Sequence, residues 1–493
     1  MKTKTQNKLL FLLPAMNWTK IHQPLSSFRP FLLAGHLYFL AMLVLSIVYY
    51  QERMLAMDTA YYAFNVILRG DFYTGHERFI SYAPQIFPLL ALKLGWSLKA
   101  VLIAYSAGFI LFYYAAYNLV AHVFRNPAAG ILLALSLGLT VRYKFYGPVG
   151  EVVLALVPLV IFLAWLSKPK EAFKSWPAWA DVSVGVGLGA MLLTSHPFIT
   201  IATAMGLGFL LLWQREWLNP RFWITSLATG GLLLKQFVFA ERNAYEAERA
   251  NRLNEAWEVL SNLNDYYISE VIWRYFDTQY ALPFVVFLLS IVGLIWTKRI
   301  GAALYILLSF AVLLAVVIVM HAYMSSDIFI MLDGYLGHLG FVWGLPLAFH
   351  WVQEKRPWML VIISGLLIFS IARLADTRRF FENRLTHLHT LLDTQTSVEH
   401  PKGVVYLTGL QYDKFWIGWA MGVETLMLSS LEGPEHTRNI YLADKPGDVA
   451  DRFEDGDLFL SVPFGPDFIK REELPSQYFQ LPAIPYREVQ WPQ

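Results

Sequence analysis

The chain contains no cysteine. That excludes disulfide frameworks, Cys-ligated zinc, iron–sulfur clusters and thiol catalysis, and it assigns no compartment. Charge is scarce too. Asp, Glu, Lys and Arg supply 15% of the 493 residues, where soluble domains average roughly 25%. A deficit of that size over so long a chain excludes an ordinary cytosolic enzyme. Disorder is excluded as well, because it needs low hydrophobicity and high net charge, and 56% of these residues are hydrophobic. Neither sign of charge dominates. Lys+Arg 39 against Asp+Glu 37 leaves +2, so no basic field points to nucleic acid. The sequence holds no Gly-x-x-x-x-Gly-Lys-Ser/Thr loop, no Gly-x-Ser-x-Gly elbow and no dinucleotide fingerprint, which argues against nucleotide-driven chemistry. Aromatics, by contrast, reach 16%. That abundance suits membrane-interface belts and sugar-stacking surfaces.

A spanning helix needs ~20 mostly apolar residues. Along the chain that measure gives about eleven candidates, some of them short, near 31–50, 98–123, 127–141, 149–167, 181–195, 198–213, 222–238, 280–297, 300–321, 334–352 and 357–375. The first is too long for a signal-peptide core and no small-residue cleavage site follows, so it is expected to be retained. Lys2, Lys4, Lys8, Lys20 and Arg29 precede it. With that end placed in the cytoplasm, the inside loops carry Arg125, then Lys168, Lys170 and Lys174, then Arg215 and Arg221, then Lys298 and Arg299, then Lys355 and Arg356. All are short and basic, as the positive-inside rule requires. The outside segments, 51–97, 141–148, 239–279 and 322–333, are mostly longer and of mixed sign. An odd number of spans puts the C-terminal tail outside.

That tail, 376–493, has 18 acidic and 11 basic residues, a net of −7. Strand-like apolar runs occur at Gly403–Leu410, Asn439–Leu442 and Asp457–Val462, separated by turn formers. A helical pattern with Trp416, Trp419, Met421 and Leu426 lies between the first two. The expected architecture is therefore an all-α polytopic membrane protein, with residues 1–375 as the transmembrane domain and 376–493 as a small extracytoplasmic α/β domain.

The first outside segment is the most informative. Asp58 follows the first span, and Ala60, Phe64, Ile67 and Leu68 then recur at helical spacing. Gly70 suits the C′ position of that helix. After a polar turn with His76, Glu77 and Arg78, Pro84 starts a second short apolar segment ending at Gly95. Two amphipathic helices lying at the outer interface would explain the pattern.

Asp-x-Ala-Tyr-Tyr, then Gly-Asp-Phe, an Arg, Pro-x-x-x-Pro-Leu-Leu and Leu-Gly resembles the first extracytoplasmic loop of the GT-C membrane glycosyltransferases. That superfamily includes the protein O-mannosyltransferases and the transferases that attach aminoarabinose to lipid A. The resemblance covers about the first 200 residues and the topology. It implies a polyprenyl-phosphate-linked sugar as donor and a glycan, lipid or protein acceptor outside the cytoplasm. It also implies catalytic acids at Asp58 and, in the next outside loop, Glu151. The family often has a second acid beside the first; here Thr59 follows Asp58, which leaves the need for a divalent metal open.

Independently of the resemblance, glycosyl transfer from a lipid phosphate needs a base for the acceptor and cations for the leaving phosphate. Asp58 supplies a carboxylate, and Glu151 a second one that orients donor or acceptor. Arg142 and Lys144 lie on the same outside loop as Glu151 and suit phosphate; His76, Arg78 and His196 are further candidates at that level. A single displacement would invert the anomeric centre. Each residue has a plainer reading. Asp58 ends a span, Glu151 lies near the interface, and Arg142 and Lys144 can snorkel to headgroups. His196, before the helix-breaking Pro197, can satisfy freed carbonyls.

Elsewhere, Lys235 lies within an apolar stretch, where an ionisable group is a functional suspect unless it reaches the interface. Segment 239–279 is charged and suits an extramembrane hairpin or lid, and Asp265, Tyr266, Tyr267, Trp273 and Arg274 form an aromatic–acidic set within it. His321, Asp327 and Asp333 are spaced six apart and could ligate a divalent metal, although no tight ligand motif supports it. Gly334, Gly337 and Gly340 suggest close helix packing. A transporter or lipid flippase is the rival function, and it predicts paired broken helices in two related halves; no such internal symmetry is evident. A scaffold acting through its outer tail is the third. The short basic N-terminus and compact loops fit a bacterial inner membrane, and membrane lipids are the expected surroundings.

Overall fold

The computed structural model describes residues 25–491 apart from 76–77, 170–171, 174, 215–218, 240–246, 249–250, 325–328, 355–356, 398, 410–414, 416–417, 446–453 and 463–467. The architecture is mostly helical, with a small sheet region near the C-terminus. Among the described residues, four helices are long and apolar enough to cross a membrane: Ser26–Val48, Leu98–Val123, Ile300–Met320 and Pro357–Gln395. A fifth crossing exists if Tyr267–Gln279 and Ala281–Trp296, bent by 83° at their junction, form one span. Four more apolar helices, Pro127–Gly138, Glu151–Leu166, Ala178–Thr194 and Ile199–Gln214, are only 10–17 residues long. Eleven full-length spans are therefore not what the described residues contain. The cause is helix punctuation, which hydropathy ignores. Asn126 caps and Pro127 opens one helix, Pro148–Gly150 precede another, and Pro197 interrupts a third apolar run.

The predicted outside and inside segments meet at different ends of these helices. At one end, Arg53 donates to the Phe145 carbonyl, the Arg142 and Lys144 N–H groups donate to Asp333, Tyr280 donates to the Thr140 carbonyl, and Arg378 pairs with Glu52 at 2.7 Å. At the other, Asn126 donates to Ser167, Lys168 and Arg221 share Asp181, and Arg299 donates to the Trp213 carbonyl.

The segment predicted to lie outside after the first span contains two helices, Met57–Arg69 and Tyr82–Lys93. Gly70 closes the first at φ 62°, a left-handed position that glycine adopts without steric cost. The second exposes Ile86 and Leu90 in one stripe continued by Leu94, as an interfacial helix should. The first is mostly enclosed by protein. Nine of its thirteen residues are buried, because the C-terminal region covers it: Phe64 packs against Phe459 and Phe479, and the Tyr478 hydroxyl donates to the Trp96 carbonyl at 3.0 Å.

The last membrane-length helix runs unbroken from Pro357 to Gln395, past the expected end of its span, and leads into the sheet region. Strands β1 (Lys402–Tyr406) and β2 (Asn439–Ala443) pair in parallel, and β5 (Arg487–Glu488) pairs in parallel with the other edge of β1. Helix Met421–Ser429 connects β1 to β2, as parallel neighbours require. Asn439 ties it down by donating to the Gly422 carbonyl at 2.7 Å. Strands β3 (Leu458–Leu460) and β4 (Phe468–Lys470) form an antiparallel pair.

Candidate functional site

Asp58 stands in the first turn of the Met57–Arg69 helix and is exposed. A carboxylate there is favoured by the helix dipole. Tyr61 and Tyr62 follow at the i+3 and i+4 spacing that shares a helix face. The Tyr62 hydroxyl donates to Glu151 at 3.0 Å and accepts the Gly75 N–H at 3.1 Å. Burial, reinforced by the Glu151 charge, pushes the Tyr62 hydroxyl upward, so the tyrosine stays protonated as a donor. The second Glu151 oxygen pairs with Arg78 at 3.3 Å, and both side chains are only 11% exposed. Glu151 is the first residue of its own helix, again the dipole-favoured end.

The loop carrying Arg78 is braced. Buried Gln85 accepts the Tyr73 N–H at 2.8 Å and donates to the Tyr73 carbonyl at 2.6 Å. Tyr73 donates to the Tyr61 hydroxyl at 3.1 Å. Trp419 of the C-terminal region meets the Tyr61 ring edge-on at 5.8 Å. The Asp58 helix, the braced loop, the start of the Glu151 helix and the C-terminal region thus form one rim.

The cations divide. Arg142 turns to the long C-terminal helix, bonding Thr377 and pairing with Asp376 at 3.1 Å. Lys144 turns the other way. Its side chain lies against Gly150, where a Cβ would overlap it, and against Gly334. It lines a cavity of about 20 Å³, room for one water, together with Arg53, Phe109, Tyr113, Phe145 and Pro148. Arg53 is fully buried. It donates to Ser106 Oγ at 2.8 Å, to the Ser106 carbonyl and to the Phe145 carbonyl. Among the described residues, neither Arg53 nor Lys144 pairs with a carboxylate. Two cations out of water without a counter-charge are costly, and an anion would relieve that cost.

The structure therefore brings Glu151 and Arg78 into contact, places Asp58 on the helix that supplies their tyrosine, and puts Lys144 beside Gly150, the residue before Glu151. It does not bring Arg142 to them. His196 lies by another helix: its Nδ1 accepts the Phe198 N–H at 3.1 Å, and its Nε2 is 3.4 Å from the Tyr335 hydroxyl. His76 lies outside the described residues. Sequence reasoning missed Arg53, Tyr62 and Gln85. Arg53 carried a readable signal, an arginine directly after the first span.

The metal suggestion at 321–333 finds no support in geometry. Asp333 is occupied by two backbone N–H groups and the Tyr280 hydroxyl, His321 bonds the Val317 carbonyl, and Asp327 is outside the described residues. No group of three His, Asp or Glu side chains that could hold a metal occurs among the described residues. Lys235 is exposed, as snorkelling requires. In segment 239–279, Arg274 pairs with Glu270 at 2.8 Å, while Trp257 and Trp273 point outward. No family model matches this chain, and no characterised protein or solved structure matches it.

Proposed function

We propose that this chain is an integral-membrane glycosyltransferase, a hexosyl- or pentosyltransferase, that moves a sugar from a polyprenyl-phosphate donor to an acceptor outside the cytoplasm, in a bacterial inner membrane. The observation that carries the reading is the rim itself: an exposed carboxylate, Asp58, on the helix whose Tyr62 holds Glu151; the carboxylate-free cations Arg53 and Lys144 line one small cavity. Two further features support it. Ionisable groups gather at the ends of helices, where an enzyme needs them. The predicted outside segments also touch one another, and the predicted inside ones do the same at the other end. That segregation favours the eleven-crossing topology, with the short apolar helices completing the bundle.

In this mechanism the Asp58 carboxylate takes the proton from an acceptor hydroxyl. The freed oxygen attacks the anomeric carbon, the bond from that carbon to the phosphate oxygen breaks, and the configuration inverts. The electron pair leaves on the polyprenyl phosphate, whose charge Lys144 and Arg53 stabilise. Glu151, held by Tyr62 and Arg78, orients the sugar. The test is the profile of lipid-linked sugars and surface glycans in cells with and without the gene, complemented by wild type or Asp58→Asn. Asp58→Asn should lower transfer by at least about 10²-fold with membrane levels of the protein unchanged. Full complementation by that variant would overturn the assignment.

A further inference from the structure

The residue before Asp58 has an unusual backbone. Met57 has φ 46°, a left-handed value that a bulky residue holds only when its surroundings impose it. The imposing group comes from the C-terminal region. Glu424, in helix Met421–Ser429, accepts the Met57 N–H at 2.5 Å on Oε1. Arg384, on the long helix, donates through Nη2 to both oxygens of Glu424, at 3.0 and 2.7 Å. Glu424 and Arg384 are 0% and 1% exposed. Leu55 and Ala56, just upstream, are buried as well, and the Ala56 carbonyl accepts the Thr59 and Ala60 N–H groups that start the helix.

A buried ion pair is weak evidence for stability, because desolvation offsets its attraction, and apolar residues of similar volume often do as well. Anchoring of the C-terminal region is already provided by Phe64 against Phe459 and Phe479. What the ion pair adds is a fixed acceptor at one backbone N–H.

We propose that Glu424 is a positioning residue: by holding the Met57 N–H it sets the backbone on which Asp58 stands, which makes the C-terminal region part of the site. The proposal rests on the catalytic reading of Asp58.

Two double variants of the full chain in detergent separate this from a merely structural role. Glu424→Gln with Arg384→Gln removes both charges and keeps an oxygen for Met57. Glu424→Met with Arg384→Met keeps apolar packing and removes that oxygen. Backbone amide exchange over residues 55–60 and release of undecaprenyl phosphate from undecaprenyl-phosphate hexose and undecaprenyl-phosphate pentose, with cell-envelope extract as the acceptor, are measured on each. The Met pair should exchange about tenfold faster at residue 57 and lose about tenfold or more in kcat at near-constant KM. The Gln pair should stay within about threefold of wild type on both. Matching behaviour of the two pairs overturns the proposal. So does a wild-type Met57 amide that exchanges at the rate of an unstructured peptide, a measurement that needs no variant to fold. If wild type releases no undecaprenyl phosphate, the transferase reading fails, while the exchange contrast still decides whether Glu424 holds Met57.

Discussion

The two ends of the helical bundle treat charge differently. At the end with short connections, Asp181 is shared by Lys168 and by Arg221, whose side chain is 52% exposed. At the end with long segments, Glu52, Arg53, Glu151, Asp333, Arg384 and Glu424 are all buried. Burying that many ionisable groups is expensive, and a fold that only needed to stay in a membrane would not require it. The contrast teaches where to look for chemistry: at the end where charges are held out of water by named partners.

The sharpest way to break the comparison is to ask whether the ends face opposite sides. The chain has no cysteine, so single cysteines report without background. Asp71→Cys and Trp179→Cys, both at exposed positions, should react with a membrane-impermeant maleimide from opposite faces of sealed vesicles, all or none. Labelling of both from one face would dissolve the distinction.

A smaller effect sharpens the role of the carboxylate-free cations. Lys144→Met should cut transfer by about 10²-fold, the scale of losing one charge-stabilising donor. Gly150→Ala, whose methyl would overlap the Lys144 side chain, should reproduce most of that loss through displacement of the ammonium. Both are read as the rate of sugar transfer at equal protein. Normal rates in both variants would show that the cavity lies off the reaction path.

Stability separates the ends as well. Arg78→Met leaves buried Glu151 with Tyr62 alone and should cost about 3 kcal/mol, seen as a lower melting temperature in detergent. Arg221→Met at the opposite end should cost about 1 kcal/mol or less, since the Arg221 side chain is half exposed and Asp181 keeps Lys168. Equal losses would contradict the contrast.

The smallest expected effect lies in the C-terminal region. Lys402 is buried and donates to the Gly456 and Leu458 carbonyls. Burial pushes its ammonium down to about 8, with Arg471 adding to the shift and Asp457 and Asp455 opposing it. Between that value and the ordinary lysine range the unfolded chain binds more protons, so stability should rise with pH there. Lys402→Met should flatten the rise in a pH series of thermal melts.

Much of the site was legible because its signals are local. A carboxylate after an apolar run, a Gly closing a helix and an acid at a helix start are all read within a few residues. In the C-terminal region β1, β2 and β3 coincide with apolar runs bounded by turn formers, and the helix between the first two, Met421–Ser429, includes Met421 and Leu426 of the expected pattern but starts after Trp419. Partnership was not legible. Arg142 and Lys144 are two residues apart, yet a short helical turn at Tyr143–Phe145 sends one to Asp376 and the other to Gly150. The stretches expected near 127–141, 149–167, 181–195 and 198–213 recur as short apolar helices, and hydropathy alone did not decide whether helices of that length cross.

By itself, the sequence determined a helical chain for an apolar environment, an acid at the head of the helix that follows the first apolar run and a small sheet region near the C-terminus. Composition and short-range periodicity are enough for that, since helices satisfy their own backbone in hydrocarbon. Only the tertiary structure decided that the Met57–Arg69 helix is covered by the C-terminal region, that Glu151 belongs to Tyr62 and Arg78, and that a glutamate 367 residues away holds the Met57 N–H. Those outcomes depend on which buried polar groups find partners, and partners distant in the chain are chosen by packing, not by neighbours in sequence.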